Sequence, residues 1–176
     1  MPPLGHILRV EYPDRWLRIY SLPDEKRYAD TPIEHSTLLT RHNAVATAVL
    51  GIGAKCIIFA GRWKDHPQWE TPHQDLRGLK ETTWSLFQSM TDEDKPAQMA
   101  MNFWCAPVRW HPERFDELLR AVADDEEEFI VFASLQSGEI YAPYDGGADL
   151  ILSSSLRRDE LKQKFGAWLP QHSPEQ

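Results

Sequence analysis

Two spacings of apolar residues recur in short segments along the chain. Alternating apolar and polar residues at positions 8–22 predict a strand, with Trp16 and Arg18 on one face and Leu17 on the other. Short apolar segments predict further strands at 56–60, 82–90, 99–110 and 129–135. Apolar residues three and four positions apart predict helices at 31–50, 111–123 and 154–168.

Together these elements predict an α+β fold. Three helices set between groups of adjacent strands favour a largely antiparallel sheet of about five to six strands. The chain of 176 residues has the length of one domain, which we place at residues 1–170. Residues 171–176 are expected to form a flexible tail.

The clearest local signal lies at the start of the first predicted helix. The hydroxyl of Thr31 can accept a hydrogen bond from the backbone of Glu34, and the Glu34 carboxylate can accept one from the backbone of Thr31. Pro32 suits the first helical position, and Gly51 is expected to end the helix. The second predicted helix should stop near Ala123, because the acids that follow oppose the dipole at a helix C-terminus.

Residues 140–152 predict two short strands joined by a tight turn. The D-G-G sequence at positions 145–147 is expected to supply the positive φ angles of a short hairpin loop. Pro143 has no amide donor, so the first strand is expected to be an edge strand or to end there. Asp149 alternates with apolar neighbours and should point away from the core face.

Charge is unevenly distributed along the chain. The net charge is −8, made up of +1 for residues 1–88 and −9 for residues 89–176. This balance argues against a nucleic-acid partner, since phosphate contacts need clustered Lys and Arg. An acidic half suits a basic protein partner. The apolar runs are too short for a membrane span and no signal peptide is visible, so we expect a cytoplasmic protein that does not bind membranes.

The candidate catalytic and metal-binding residues lack the spacing of the known sites considered. Cys56 and Cys105 lie in apolar runs and are expected to be core residues. His42 could act as a base, but we favour the interpretation that it covers the outer edge of its helix or caps a neighbouring loop. The residues that could bind a metal on the loop at 62–79 match no zinc spacing; they are Asp65, His66, His73 and Asp75. No common catalytic motif occurs, so we expect neither an enzyme nor a bound metal or cofactor.

Two groups of residues are candidates for binding a protein partner. One is a run of five acids after the second predicted helix: Asp124, Asp125, Glu126, Glu127 and Glu128. The other consists of Trp63 and Trp69, which lie on the proline-containing loop where stability does not obviously require them. Aromatic anchors with charges at the rim are typical of protein interfaces.

Several pieces of sequence occur together across the chain. They are R-I-Y-S-L-P-D-E-K-R-Y at 18–28, R-H-N at 41–43, Y-A-P-Y-D-G-G-A-D at 141–149, R-D-E-L at 158–161 and W-L at 168–169. In this combination the chain resembles a bacterial family catalogued as a domain of unknown function, whose members resemble immunity proteins encoded beside polymorphic or contact-dependent toxins. The resemblance extends from about Trp16 to Leu169, and the segment at 62–79 and the D-E-D-K-P-A-Q turn depart from the family pattern.

The resemblance implies an immunity protein that binds and neutralises a cognate toxin domain. Its charged motif residues are Lys26, Arg27, Arg41, His42, Asp145 and Asp149. We expect the basic members to pair with acids such as Asp145 or Asp149 rather than to bind phosphate. Two alternatives stay open: a small-molecule enzyme with a site near His42 and the Asp145/Asp149 pair, and an adaptor protein.

Overall fold

A computed structural model describes residues 2–64, 66, 76, 79, 82–90 and 100–170. The strands are β1 (Trp16–Tyr20), β2 (Lys55–Trp63), β3 (Ser85–Met90), β4 (Met101–Arg109), β5 (Ile130–Ser134), β6 (Ile140–Tyr144) and β7 (Gly147–Ile151). The α-helices are α1 (Gly5–Glu11), α2 (Pro32–Leu50), α3 (Asp116–Ala123) and α4 (Ser155–Lys164). All strand pairs are antiparallel, in the order β1-β7-β6-β5-β2-β4-β3.

The predicted α+β class is correct, but the predicted numbers of strands and helices are wrong. Among the described residues the sheet has seven strands instead of five to six, and there are four α-helices instead of three. The number is higher than predicted because the hairpin strands β6 and β7 and the two edge strands β1 and β3 all belong to the same sheet. None of the described helices combines the length and apolar composition needed to cross a bilayer.

The additional helix α1 replaces the first part of the predicted strand at 8–22. Leu4 and Leu8 are four residues apart and both are buried, which is a helical spacing that the alternation analysis overlooked. A short 3₁₀ helix that begins at Pro13 separates α1 from β1. Only Trp16–Tyr20 therefore forms a strand, at one edge of the sheet.

Helix α2 begins and ends where the sequence predicts. The backbone N–H of Glu34 donates to Oγ1 of Thr31 at 3.2 Å, and the Glu34 carboxylate accepts from the N–H of Thr31 at 3.1 Å. The helix ends at Leu50, and Gly51 follows with φ +89°. The predicted capping box is confirmed.

Helix α3 starts later than predicted but ends at Ala123 as expected. The start is delayed from His111 to Asp116 because Glu113 has φ +67°, which no α-helix accommodates. At the other end the backbone N–H of Glu126 donates to the carbonyl of Ala121 at 2.8 Å. This bond folds the acidic run back over the last helical turn. Helix α4 ends at Lys164, before its predicted limit at residue 168, and a 3₁₀ helix, Gly166–Trp168, follows it.

The two faces of the sheet are covered differently. Helices α2, α3 and α4 pack on one face, which we call the helix face, against buried residues such as Leu17, Phe132 and Tyr141. Helix α1 starts over the opposite face, since the position of a Cβ on Gly5 lies 3.5 Å from Cβ of Ala142. Neighbouring residues of a strand point to opposite faces, so the α1 face carries the residues that alternate with this core.

The β6–β7 hairpin forms, although its turn differs from the prediction. Tyr144 pairs with Gly147, which leaves a loop of two residues. Neither Gly146 nor Gly147 has a positive φ, so the expected left-handed turn is wrong. Gly147 is required by close packing instead, because a Cβ there would lie 1.9 Å from the carbonyl oxygen of Ile19. Strand β6 is an interior strand, so Pro143 does not mark an edge strand; the strand ends one residue later, at Tyr144, close to the expected end.

Candidate functional site

The ladder between β5 and β6 is short. Strand β5 stays paired with β2 as far as Ile130, and β6 stays paired with β7 as far as Tyr144. Between themselves, however, these two strands share only two residue pairs, of which the last is Phe132 with Tyr141. Continuing the register would oppose Ile130 to Pro143, which has no N–H to donate to a ladder. The stretch of β5 and β6 beyond the Phe132–Tyr141 pair is called the strand cleft below.

A cavity of about 260 Å³ occupies the strand cleft. The residues that line it from β1, β6 and β7 include Arg18, Tyr144 and Asp149, together with Asp145 of the hairpin loop. Its other wall is formed by Phe129 and by part of residues 124–128, which we call the acid loop. The cavity thus lies where the segments at 18–28 and 141–149 meet the acidic run.

Asp149 and Arg18 form a bidentate ion pair in the cleft. Nε of Arg18 donates to Oδ1 of Asp149 and Nη2 donates to Oδ2, both at 2.9 Å. Nε1 of Trp16 also donates to Oδ1 at 2.9 Å, and the guanidinium lies 4.9 Å from the centre of the Tyr144 ring. Burial opposes the charge of Arg18, but the bonds to Asp149 outweigh it and raise the pKa of Arg18. Asp149 points away from the core face as predicted, yet it is only 5% exposed.

Asp145 joins the N-terminal motif to the hairpin. Its Oδ2 accepts hydrogen bonds from Nε of Arg27 and, at 3.0 Å, from the hydroxyl of Tyr28. The neighbouring Tyr144 hydroxyl is buried and has no hydrogen-bond partner among the described residues. Burial raises the pKa of Tyr144 well above its ordinary value. This hydroxyl is therefore a neutral group that finds no hydrogen-bond partner within the described part of the chain.

The other basic motif residues do not reach Asp145 or Asp149. Lys26 forms ion pairs with Asp30 at 2.8 Å and with Glu34 at 2.5 Å, at the start of α2. Arg41 donates to the backbone carbonyl of Tyr20 at 3.2 Å and lies over the ring of Trp168. Of the four basic residues expected to pair with these two acids, the structure brings only Arg27 to one of them.

His42 lies on the opposite face of the sheet from Asp149. Its Nε2 is 2.8 Å from Oγ of Ser21 and its Nδ1 is 2.6 Å from the hydroxyl of Tyr141. Tyr141 is adjacent to Ala142, which pairs with Asp149, so the histidine and the carboxylate are separated by the sheet. Burial lowers the pKa of His42 to about 4, and the cavity beside it measures only about 10 Å³. The residues of the enzyme alternative therefore do not converge on one pocket.

The acid loop lies beside Trp63. Asp124, Asp125, Glu126 and Glu128 are exposed, whereas Glu127 is half-buried. An oxygen of Glu127 accepts from Nη2 of Arg62 at 2.6 Å, and Arg62 is only 6% exposed. The ring of Trp63, 39% exposed, packs edge-to-face on Phe129 with 5.7 Å between ring centres. A second cavity of about 230 Å³ is lined by residues that include Trp63, His66, Glu126 and Glu128.

Two left-handed residues fix the shape of this loop. Asp125 has φ +61° and Phe129 has φ +55°, a conformation that is rare for a bulky residue. Gly61 of β2 leaves room for Phe129, because a Cβ there would lie 2.9 Å from Cβ of Phe129. The N–H of Gly61 donates to the carbonyl of Phe129 at 3.2 Å. Backbone strain of this kind is concentrated at functional sites.

The remaining predicted residues fall into two groups. Trp69 and the metal candidates Asp65, His73 and Asp75 lie outside the described residues, as does the tail at 171–176. Within the described residues, no group of three His, Cys, Asp or Glu side chains is arranged to hold a metal ion. Cys56 and Cys105 are free, and burial raises the pKa of both thiols. Tyr144 was missed as a site residue because the point at which the β5–β6 ladder ends depends on long-range strand pairing.

Comparison with known proteins identifies a family. The family described as "Domain of unknown function (DUF3885)" matches residues 4–173, a range that includes the strand cleft, the acid loop and Trp63. No curated protein and no solved structure matches the chain. The chain therefore belongs to the DUF3885 family.

Proposed function

We propose that this protein is an immunity protein, which binds a cognate secreted bacterial toxin in the cytoplasm and neutralises it. The observation that carries the proposal is the meeting of Trp63 with the acid loop on one surface. These residues are more than 60 positions apart in the sequence, and they surround the same 230 Å³ cavity. An aromatic anchor bordered by charges is the arrangement by which protein interfaces combine affinity with steering.

The charge of this surface favours a cationic partner. Four of the five acids in the loop are exposed, and the half of the chain that contains them carries a net charge of −9. Such a field raises the rate at which a basic protein surface is encountered. Many toxins that cleave or modify nucleic acids need a basic surface to bind phosphate, and an acidic inhibitor can compete for that surface.

The enzyme alternative has less support. His42 is separated from Asp145 and Asp149 by the thickness of the sheet, and Ser21 and Tyr141 occupy both of its ring nitrogens. The Asp145 and Asp149 carboxylates are themselves engaged by Arg27 and Arg18. A general base needs access to the proton that it removes, and the space beside His42 is too small for a substrate.

Neutralising the exposed acids tests the electrostatic part of the proposal. The variant D124N/D125N/E128Q should associate more slowly with the toxin encoded by the neighbouring gene, and its association rate should depend less on salt. Glu127 is left unchanged because it pairs with the buried Arg62. The control E11Q/D14N/E117Q removes the same charge from exposed acids elsewhere and should change the rate less. Equal rates for the two triple variants would contradict the proposal.

Truncating the aromatic anchor tests the other part. We expect Trp63→Ala to speed dissociation of the toxin complex by roughly thirtyfold, which corresponds to a hot-spot contribution of about 2 kcal/mol. Trp168→Ala is the matched control, because Trp168 is half-buried and also packs on a phenylalanine, Phe165, at 5.0 Å. A dissociation rate unchanged by Trp63→Ala, or changed equally by both variants, would contradict this interface.

A further inference from the structure

The α1 face of the sheet is covered unevenly. Near the Trp63 end of β2, Leu4 packs in a buried cluster with Met101 and Phe103, which are opposite Trp63 and Gly61 in the β2–β4 ladder. Toward the other end of β2, the apolar side chains on this face are half-buried or exposed. We call this area the apolar shelf, and it consists of Ile57, Phe59, Phe87, Pro107, Ala133 and Leu135.

Strand pairing makes the apolar shelf continuous. Ile57 is opposite both Pro107 of β4 and Ala133 of β5, so the three side chains lie side by side on one face. Phe59 contacts Phe87 of the edge strand β3 edge-to-face, with 5.0 Å between ring centres. A contiguous exposed apolar area on a protein surface marks an interaction site more often than scattered apolar residues do.

Charges of opposite sign lie beyond the two ends of the shelf. At the basic end, Lys55 is directly opposite Arg109, and Nη1 of Arg114 donates to the carbonyl of Arg109 at 3.2 Å. Within the described part of the chain none of these three cations forms an ion pair, and like charges placed opposite each other destabilise a sheet. The acid loop lies at the other end, beside Trp63, about 26 Å away along the nine residues of β2.

We infer that the apolar shelf binds a second copy of this chain in a weak two-fold dimer. A two-fold axis through the shelf turns one copy end for end, so the basic end of each copy faces the acid loop of the other. One chain thus carries both of the complementary charges. The second sheet also fits the space beside α1, because stacked sheets lie about 10 Å apart and a helix is about 10–12 Å across.

The area of the shelf determines how tightly the copies bind. Four strands across, and from the level of Lys55 to that of Phe59, the shelf presents roughly 250 Å² per copy, whereas a standard stable interface buries about 800 Å² per partner. We therefore expect a dissociation constant of roughly 10–100 µM. Sedimentation equilibrium of the full chain without toxin, between about 5 and 500 µM, should show a reversible monomer–dimer equilibrium. A monomer throughout this range would overturn the inference.

A charge placed on the shelf tests whether this surface makes the contact. Leu135 is 62% exposed, and its N–H donates to the carbonyl of Lys55, which extends the β2–β5 ladder by one pair. Leu135→Glu should weaken the dimer by about tenfold or more, because the carboxylate would be buried against apolar side chains. Leu156→Glu is the matched control, since Leu156 is 71% exposed on α4, which covers the helix face. Equal dissociation constants for the two variants would overturn the inference.

Charge reversal tests the end-for-end arrangement. K55E/R109E makes the basic end acidic, and D124K/E128K adds two cations to the acid loop, so each variant alone should dimerise about tenfold more weakly than the parent chain. An equal mixture of the two should form a heterodimer of about parental affinity, because the two reversed ends then face each other. Fluorescence-detected sedimentation with one variant labelled measures this. A mixture that associates no better than the separate variants would overturn the arrangement.

Two other occupants of the shelf would give different results. Binding of a monomeric chain to phosphatidylserine vesicles, abolished by Leu135→Glu, would overturn the dimer and assign the shelf to a membrane surface. NMR shifts of Ile57 and Ala133 that appear only when toxin is added would assign it to the toxin. The proposed function fails separately: a dimer without any toxin complex refutes immunity alone, and a toxin complex of a chain that stays monomeric at 500 µM refutes the dimer alone.

Discussion

Gly147 is the position at which the fold tolerates a side chain least. Strand β7 passes so close to β1 that a Cβ on Gly147 would lie 1.9 Å from the carbonyl oxygen of Ile19 and 3.0 Å from its carbonyl carbon. Both atoms belong to the backbone, so no side-chain rotation can relieve the overlap. The strands would have to separate by more than about 1 Å. This would lengthen the hydrogen bonds between β1 and β7, which are about 3 Å long, to distances at which a hydrogen bond is lost.

The cost of Gly147→Ala follows from the bonds at this end of the β1–β7 ladder. Gly147 pairs with Tyr20, and the N–H of Ser21 donates to the carbonyl of Gly146 at 3.1 Å. Losing two or three such bonds, with the buried groups left unsatisfied, lowers the free energy of unfolding by about 3–4 kcal/mol. Gly146→Ala is the control, since the nearest atoms to its Cβ belong to side chains, the Tyr144 ring at 3.0 Å and Cγ of Arg27 at 3.8 Å. We expect it to cost less than about 1 kcal/mol.

Urea denaturation followed by circular dichroism measures both variants against the parent chain. The reasoning requires a large drop in midpoint for Gly147→Ala and a small change for Gly146→Ala, with similar denaturant slopes. A loss below about 1 kcal/mol at Gly147 would refute the close approach of β7 to β1. A larger loss at Gly146 than at Gly147 would also refute it, and would indicate that the glycines are needed for the hairpin turn.

Three further predictions concern the buried histidine and the acid loop. Burial lowers the pKa of His42 to about 4, so on acidification this histidine is protonated in the unfolded chain before it is protonated in the folded one. The free energy of unfolding should therefore fall by about 3 kcal/mol between pH 6.5 and pH 4. In pH-dependent denaturation, His42→Gln should remove this part of the pH dependence. Asp125→Gly should raise the free energy of unfolding by about 0.5–1 kcal/mol, since φ is +61°, whereas Asp124→Gly at φ −89° should not. Glu127→Gln should lower it by about 3 kcal/mol in the same assay, because Arg62 would be left buried without its carboxylate; an unchanged midpoint would contradict the pairing.

Local signals in the sequence predicted those elements whose cause is local. The limits of α2 are set by a capping box and a glycine, which are adjacent to it in the chain. The end of α3 at Ala123 follows from the acids that come next. In contrast, the single strand predicted at 8–22 is wrong in its first part, because the helix there is stabilised by burial of Leu4 and Leu8 against the sheet.

The site depends on register between distant strands, which one sequence does not contain. Arg18 meets Asp149 because β1 pairs with β7, and this pairing is set by the whole sheet. The sequence shows that Pro143 lacks an N–H donor, but it does not show that β5 is the strand whose ladder with β6 stops short of this residue. Trp63 and the acid loop were both named as partner-binding residues, and their contact through Phe129 appears only in the folded chain.

The most direct test of the immunity proposal is a titration of the purified chain with the toxin domain encoded beside it, followed by calorimetry and by toxin activity. We expect a one-to-one complex with a dissociation constant far below micromolar, loss of toxin activity in that complex, and weaker binding in D124N/D125N/E128Q than in E11Q/D14N/E117Q. Absence of association at micromolar concentration, or a complex in which the toxin stays fully active, would contradict the proposal.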